Sequence, residues 1–145
     1  MIFSSLMNAI DHLLADLKSD PAFTANVTRW ETIPARPGNY RELPDFLDGR
    51  IRKALAARGI TRLYSHQADC VTRAREGKHF VVVTPTASGK TLCYNLPVLS
   101  RLLAEPAARA LYLFPTKALS QDQQSELNEI SLGGELGVKI ATYDG

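Results

Sequence analysis

The sequence predicts an α/β protein: a parallel sheet with helices on both faces, preceded by a helical amino-terminal extension. Three observations in its 145 residues lead there. From residue 79 onward, short runs of β-branched and apolar residues alternate with segments of helical periodicity. The triplet Gly89-Lys90-Thr91 stands between one such run and the helical segment after it. Upstream, an apolar stripe of helical period gives way to a proline-rich stretch, unlike the alternation that follows. The expected division is therefore residues 1–43, a helix and extended linker, and residues 44–145, the α/β part.

Ile2, Leu6, Ile10, Leu13, Leu14 and Leu17 recur at three- and four-residue steps, which predicts an amphipathic helix over residues 4–18. Pro21, Pro34, Pro37, Gly38 and Pro44 make residues 20–44 irregular and extended, with a short strand expected around residues 27–33. Pro44 suits the first turn of the next helix, in which Leu47, Ile51 and Leu55 stack at four-residue steps before Gly59 ends it. Ser65 is an expected N-cap for a helix over residues 66–76, stopped by Gly77. The run Phe80-Val81-Val82-Val83 reads as a strand buried on both faces. Residues 90–104 read as a helix kinked at Pro97, residues 110–114 as a second buried strand, residues 117–130 as a helix and residues 138–143 as a third strand. Such βαβαβ order implies parallel strands with right-handed crossovers.

Composition narrows the function. Hydrophobic residues make up 45% and charged residues 22%, the profile of a folded chain rather than a disordered one. No stretch approaches the roughly 18 apolar residues of a membrane helix. The first 17 residues contain Asp11 and Asp16 and lack a basic start, unlike a signal peptide. Two cysteines, Cys70 and Cys93, outside any CxxC pair, exclude a disulfide scaffold or zinc ribbon and fit a reducing, cytoplasmic setting. Net charge is only +2, yet residues 29–90 hold twelve Lys/Arg against six Asp/Glu while both flanks are acidic. That basic middle is compatible with a polyanion, or with a solvated arginine-rich helix face.

The densest chemical signal is Thr84-Pro85-Thr86-Ala87-Ser88-Gly89-Lys90-Thr91, set between strand and helix. Helix N-termini present unpaired N–H groups and the positive end of the dipole, so phosphates bind there. Gly89 lets the backbone approach a phosphate chain, Lys90 would neutralise its β and γ oxygens, and the Thr91 hydroxyl would ligate Mg²⁺. The stretch departs from the P-loop pattern GxxxxGK[ST] at one place, where Thr84 replaces the first glycine. The expected fold is thus that of a P-loop NTPase, with residues 84–91 as the nucleotide loop.

With Leu63-Tyr64-Ser65-His66-Gln67 before this loop and Phe114-Pro115-Thr116-Lys117-Ala118-Leu119 after it, the chain resembles superfamily-2 DEAD/DEAH-box helicases. The three segments are similar, in order and spacing, to that family's Q motif, motif I and motif Ia. The wording of residues 84–99 and 111–123 is similar to DNA-repair helicases of the mitomycin repair factor A/Hrq type. The resemblance implies the amino-terminal part of the first of two RecA-like domains of an ATP-driven nucleic-acid translocase, acting on DNA rather than RNA.

It also implies roles for particular residues. Gln67 takes the adenine edge, for which an amide offers one donor and one acceptor side by side. Tyr64 stacks on the base or packs beneath it, and His66 reads as structural. Pro115, Thr116 and Lys117 touch the sugar-phosphate backbone of a nucleic-acid strand, phosphate partners that carry no base readout. Tyr143 and Gly145 fall where the family has a turn lining the same path. No Asp-Glu-x-His or Asp-Glu-x-Asp sequence occurs, so the chain reads as one part of a longer enzyme. Two other classes remain open from the residues alone: a non-helicase P-loop protein such as a nucleotide kinase or transporter ATPase, and a binding fragment without turnover.

Overall fold

The computed structural model describes residues 2–85, 88–133 and 135–143, with side chains from Ala9 onward. It contains two compact units, Met1–Pro37 and Gly38–Gly145. The division falls earlier than position 43, because residues 40–42 belong to a sheet of the second unit.

The first unit consists of α1 (Ile2–Ser19) and the one-turn α2 (Pro21–Thr24). The Asp20 carboxylate caps α2 by accepting the Ala22 N–H at 2.8 Å, with Pro21 at the first helical position, where its missing N–H costs nothing. Residues 27–33 are not a strand: the chain there has no ladder partner among the described residues. It packs through Trp30, whose ring meets Phe23 at 6.3 Å and lies 5.1 Å from the Lys18 ammonium. Ile10, Leu13 and Leu14 of α1 are exposed.

The second unit runs β1 (Tyr40–Glu42), α3 (Gly49–Ala57), β2 (Arg62–Tyr64), α4 (Ser65–Arg75), α5 (Lys90–Ala104) and α6 (Lys117–Gly133). Pro44 does not open α3. Its carbonyl accepts the Leu47 N–H in a turn, and Asp48 is the N-cap, its carboxylate accepting the Arg50 N–H at 2.8 Å. Nor is Ser65 a cap; it is the first residue of α4, which is capped at Tyr64. The expected stripe of α3 does face inward: Leu47, Ile51 and Leu55 are buried with Leu63, Val71, Leu92, Leu96, Leu99, Leu127 and Ile130 in one core. Helix α4 lies on α5, and their buried thiols, Cys70 and Cys93, face each other; burial pushes both up, Cys93 to about 12. Helix α5 continues unbroken through Pro97.

The sheet departs from expectation. Among the described residues the ladder is two-stranded and antiparallel, β1 with β2, pairing Tyr40 with Tyr64, Arg41 with Leu63 and Glu42 with Arg62. Among the described residues, segments 80–84, 110–114 and 138–143 join no ladder and there is no parallel sheet. Nor are the segments buried on both faces. Val81 and Val83 are each 89% exposed, and Leu111 and Leu113 are 85% and 84% exposed. The alternate residues Val82, Tyr112, Phe114, Val138 and Ile140 are half-buried, and Tyr112, Val138 and Ile140 pack on the helical core. Segments 110–114 and 138–143 thus have the helical core against one side, while Val81, Val83, Leu111 and Leu113 stay exposed.

Candidate functional site

Chain direction puts the start of α5 at the end of segment 80–84. Gly89 caps the helix in a left-handed conformation, φ +71°, a region that L side chains enter at a cost. A Cβ built there would stand 2.6 Å from the Gln67 amide nitrogen. Glycine is therefore required twice, for its dihedral and for this approach.

The approach is a bonded one. Gln67 is 3% exposed, and its amide spans two backbones: Oε1 accepts the Tyr64 N–H at 2.9 Å, and Nε2 donates to the Gly89 carbonyl at 2.8 Å. His66, read from sequence as structural, adds a second tie, its Nε2 lying 3.0 Å from the Ser88 carbonyl. The first turn of α4 thus grips the loop before α5 at two successive carbonyls.

Within the loop, Lys90 Nζ donates to the Thr84 and Pro85 carbonyls at 2.9 and 2.7 Å and lies 3.4 Å from Ser88 Oγ. Thr84 Oγ1 and Ser88 Oγ are 2.5 Å apart. No carboxylate is among these partners, so an incoming phosphate can replace them without breaking an ion pair. Thr84, Pro85, Ser88, Gly89 and Lys90 are therefore brought together; Thr86 and Ala87 lie outside the described residues.

Beside the loop opens a cavity of about 490 Å³ whose lining includes Gly89, Thr91, Tyr64, Gln67, Tyr40 and Arg62. Its wall includes Arg58 and Glu126, paired at 3.6 Å. Tyr40 stacks on Tyr64, centroids 4.7 Å apart, and His66 also stacks on Tyr64 at 5.7 Å. The Tyr40 and Tyr64 hydroxyls meet at 3.3 Å, and that bond pushes the Tyr64 phenol up. Sequence reading missed Tyr40 and Arg62, since only the antiparallel pairing of β1 with β2 brings residues 40 and 62–64 side by side.

The second group of expected residues lies elsewhere. Pro115, Thr116 and Lys117 are exposed at the start of α6, where Thr116 Oγ1 accepts the Leu119 N–H at 3.3 Å and so serves as a helix cap. Tyr143 is 99% exposed, and Gly145 lies outside the described residues. Thr142 Oγ1 donates to Gln124 Oε1 at 2.7 Å, which ties segment 138–143 to α6. The basic face of α3 is not an open one. Arg50 pairs with Asp48 at 2.9 Å, Arg52 with Asp45 at 3.8 Å and Lys53 with Glu135 at 2.6 Å, in addition to the Arg58–Glu126 pair. Of the two meanings of the basic middle, this helix takes the solvated, internally paired one.

Known proteins are similar to this chain. The DEAD/DEAH box helicase family matches residues 64–145. The uncharacterized ATP-dependent helicase YprA of Bacillus subtilis is 49% identical over 137 residues, 94% of this chain and 18% of the relative. The ATP-dependent helicase hrq1 of Schizosaccharomyces pombe is 33% identical over 142 residues, 94% of this chain and 13% of the relative. The crystal structure of the DUF1998 helicase MrfA bound to DNA and AMPPNP superposes with a TM-score of 0.80 at 50% identity, covering 93% of this chain and 18% of that one. The chain thus spans less than a fifth of the length of these relatives. A loop gripped by the glutamine of the preceding helix, in a sequence this similar along nearly its whole length, makes the chain a member of the DEAD/DEAH box helicases.

Proposed function

We propose that this chain is the ATP-binding portion of an ATP-dependent DNA helicase, and that residues 84–91 hold the triphosphate. The observation that carries the reading is the state of Lys90: its ammonium rests on two carbonyls and a hydroxyl of the loop, beside a cavity that reaches Gly89, Thr91 and Gln67. Lys90 exchanges those partners for β and γ oxygens, and the N–H groups at the start of α5 take the rest of the phosphate charge. Thr91 lines the same cavity, where its hydroxyl would help to hold a Mg²⁺ ion. When bound, that ion neutralises phosphate charge and orients the phosphates for transfer.

The nucleic-acid partner follows from MrfA, whose structures contain DNA. Pro115, Thr116, Lys117 and Tyr143 supply backbone contacts in this reading. DNA repair is the process that the resemblance to the mitomycin repair factor A/Hrq type implies, and the two free cysteines suit the cytoplasm. No helix among the described residues is long and apolar enough to cross a membrane.

The test is titration calorimetry of ATP with Mg²⁺ against the intact protein and Lys90→Ala, with and without single-stranded DNA. The expected result is at least about tenfold weaker ATP binding in Lys90→Ala, since a charge-assisted bond is worth roughly 1.5–3 kcal/mol. Equal affinity in the two proteins removes the phosphate site from residues 84–91.

A further inference from the structure

Thr91 is tied to a side chain one turn further along α5. Thr91 and Tyr94 are three residues apart and share a helix face, and an aromatic side chain on a helix leans back toward the N-terminus. That lean brings the Tyr94 hydroxyl to Thr91, whose own hydroxyl donates to it. The Tyr94 hydroxyl in turn donates to Gln123 Oε1 of α6 at 2.6 Å. All three residues are half-buried. The hydrogen bonds therefore run in one direction, from Thr91 to Tyr94 to Gln123.

Chemistry fixes that direction. An amide oxygen only accepts, so the Tyr94 proton goes to Gln123 and the phenol oxygen is left as an acceptor for Thr91. Burial pushes the Tyr94 phenol up, against the bond from Thr91, so it keeps its proton at neutral pH. The ring is held as well. It meets Tyr112 edge-on, centroids 5.9 Å apart and planes 67° apart, and Tyr112 donates to Asn95 Oδ1 at 3.1 Å. A threonine inside a helix usually gives its proton to the carbonyl three or four residues back. Thr91 is the second residue of α5, so both of those positions precede the helix.

Resting on the ATP and Mg²⁺ reading above, we propose that Tyr94 is a positioning residue for the metal: by holding the Thr91 proton, it leaves the Thr91 oxygen free to ligate Mg²⁺. A hydroxyl that ligates a cation through its oxygen needs another acceptor for its proton, and such outer partners orient the ligand. Gln123 keeps that acceptor available, because it takes the proton that Tyr94 would otherwise turn on Thr91.

The experiment separates metal from nucleotide. ATP is titrated by calorimetry, in EDTA and in saturating Mg²⁺, into the intact protein, Tyr94→Phe, Gln123→Leu, Thr91→Ala, the Thr91→Ala/Tyr94→Phe double variant and Lys90→Ala. Tyr94→Phe keeps the ring and loses only the hydroxyl, so unchanged far-ultraviolet circular dichroism is expected. It is expected to bind ATP in EDTA as the intact protein does, while the gain in affinity on adding Mg²⁺ falls about tenfold or more, the usual worth of such an outer partner. In Gln123→Leu the Tyr94 proton is free to turn on Thr91, and the gain is expected to fall there too. Thr91→Ala is expected to lose the gain, with no further loss in the double variant. A full Mg²⁺ gain in Tyr94→Phe overturns the proposal. So does equal weakening of ATP with and without Mg²⁺, which a merely structural tyrosine would give, and so does a further loss in the double variant. If Lys90→Ala leaves ATP binding intact, the phosphate-loop reading falls and this inference with it. Sensitivity to Lys90→Ala and Thr91→Ala with indifference to Tyr94→Phe overturns this inference alone.

Discussion

Gly89 is where backbone strain, a side-chain clip and a helix start coincide. Its φ of +71° suits glycine, and the Gln67 amide occupies the space a methyl group would take. An alanine there carries two separable costs: the left-handed dihedral, about 1–2 kcal/mol, and displacement of a buried amide from its partners, of similar size. The two can be told apart by a cycle. Gly89→Ala is expected to lower stability by about 2–4 kcal/mol, and in a Gln67→Ala background by only the dihedral part, because the amide is already gone. Urea unfolding of the four proteins measures the coupling. Strict additivity would mean that Gln67 and Gly89 do not act on each other. The same geometry bears on what the sequence could show. The place of the glutamine in the motif led to an expectation of adenine contact, while its bond to a carbonyl 22 positions later was not legible. A contact of that kind depends on how α4 packs on α5, which no local pattern encodes.

Among the elements, α3 shows how a cap is both structural and pH-dependent. Asp48 accepts the Arg50 backbone N–H at 2.8 Å and the Arg50 side chain at 3.0 and 2.9 Å. These bonds to Arg50 hold its carboxyl at about 2, below its ordinary 3.8. A carboxyl lowered by folding stabilises the fold when ionised, so its contribution is complete above pH 3.8 and disappears as pH falls through about 2. Asp48→Ala is expected to cost about 1 kcal/mol at neutral pH, the usual worth of an N-cap. The gap between wild type and variant in thermal or urea midpoints is expected to close between pH 4 and pH 2; a gap independent of pH would remove the ionised cap as its cause. Helices were the legible part of this fold. Their apolar period predicted α5 over its whole span and α6 to within a turn of its end. The start of α3 was misplaced because proline at the first turn and aspartate at the cap are both start signals, and here Pro44 belongs to the preceding turn. Strands β1 and β2 have three residues each, too short for a period of two to register.

At the scale of the whole second unit, the difference between expected and observed sheet is one of partners. A run such as Val81-Val82-Val83 states a preference for extended backbone and for burial, but a strand exists only when a neighbour takes its N–H and C=O groups. Here Tyr112, Val138 and Ile140 rest on the helical core, while Val81, Val83, Leu111 and Leu113 stay exposed. Val81, Val83, Leu111 and Leu113, each more than four-fifths exposed, are a large apolar surface for a chain of this size. Extended segments with free backbone groups and exposed β-branched or leucine side chains are also templates for strand pairing between molecules. Purified residues 1–145 are therefore expected to self-associate at micromolar concentration and to bind a hydrophobic dye. Leu111→Lys with Leu113→Lys should shift the chain toward monomer without loss of helix, because Tyr112, which packs on the helical core, and Phe114, stacked on it, are untouched. Tyr112 keeps its bond to Asn95 Oδ1, 3.1 Å, so the segment stays anchored to α5 in the variant. Sedimentation velocity over a concentration series measures the shift, with circular dichroism as the check on folding. A wild-type chain that sediments as a monomer at every concentration and leaves the dye dark would show that this apolar surface finds cover within the molecule itself.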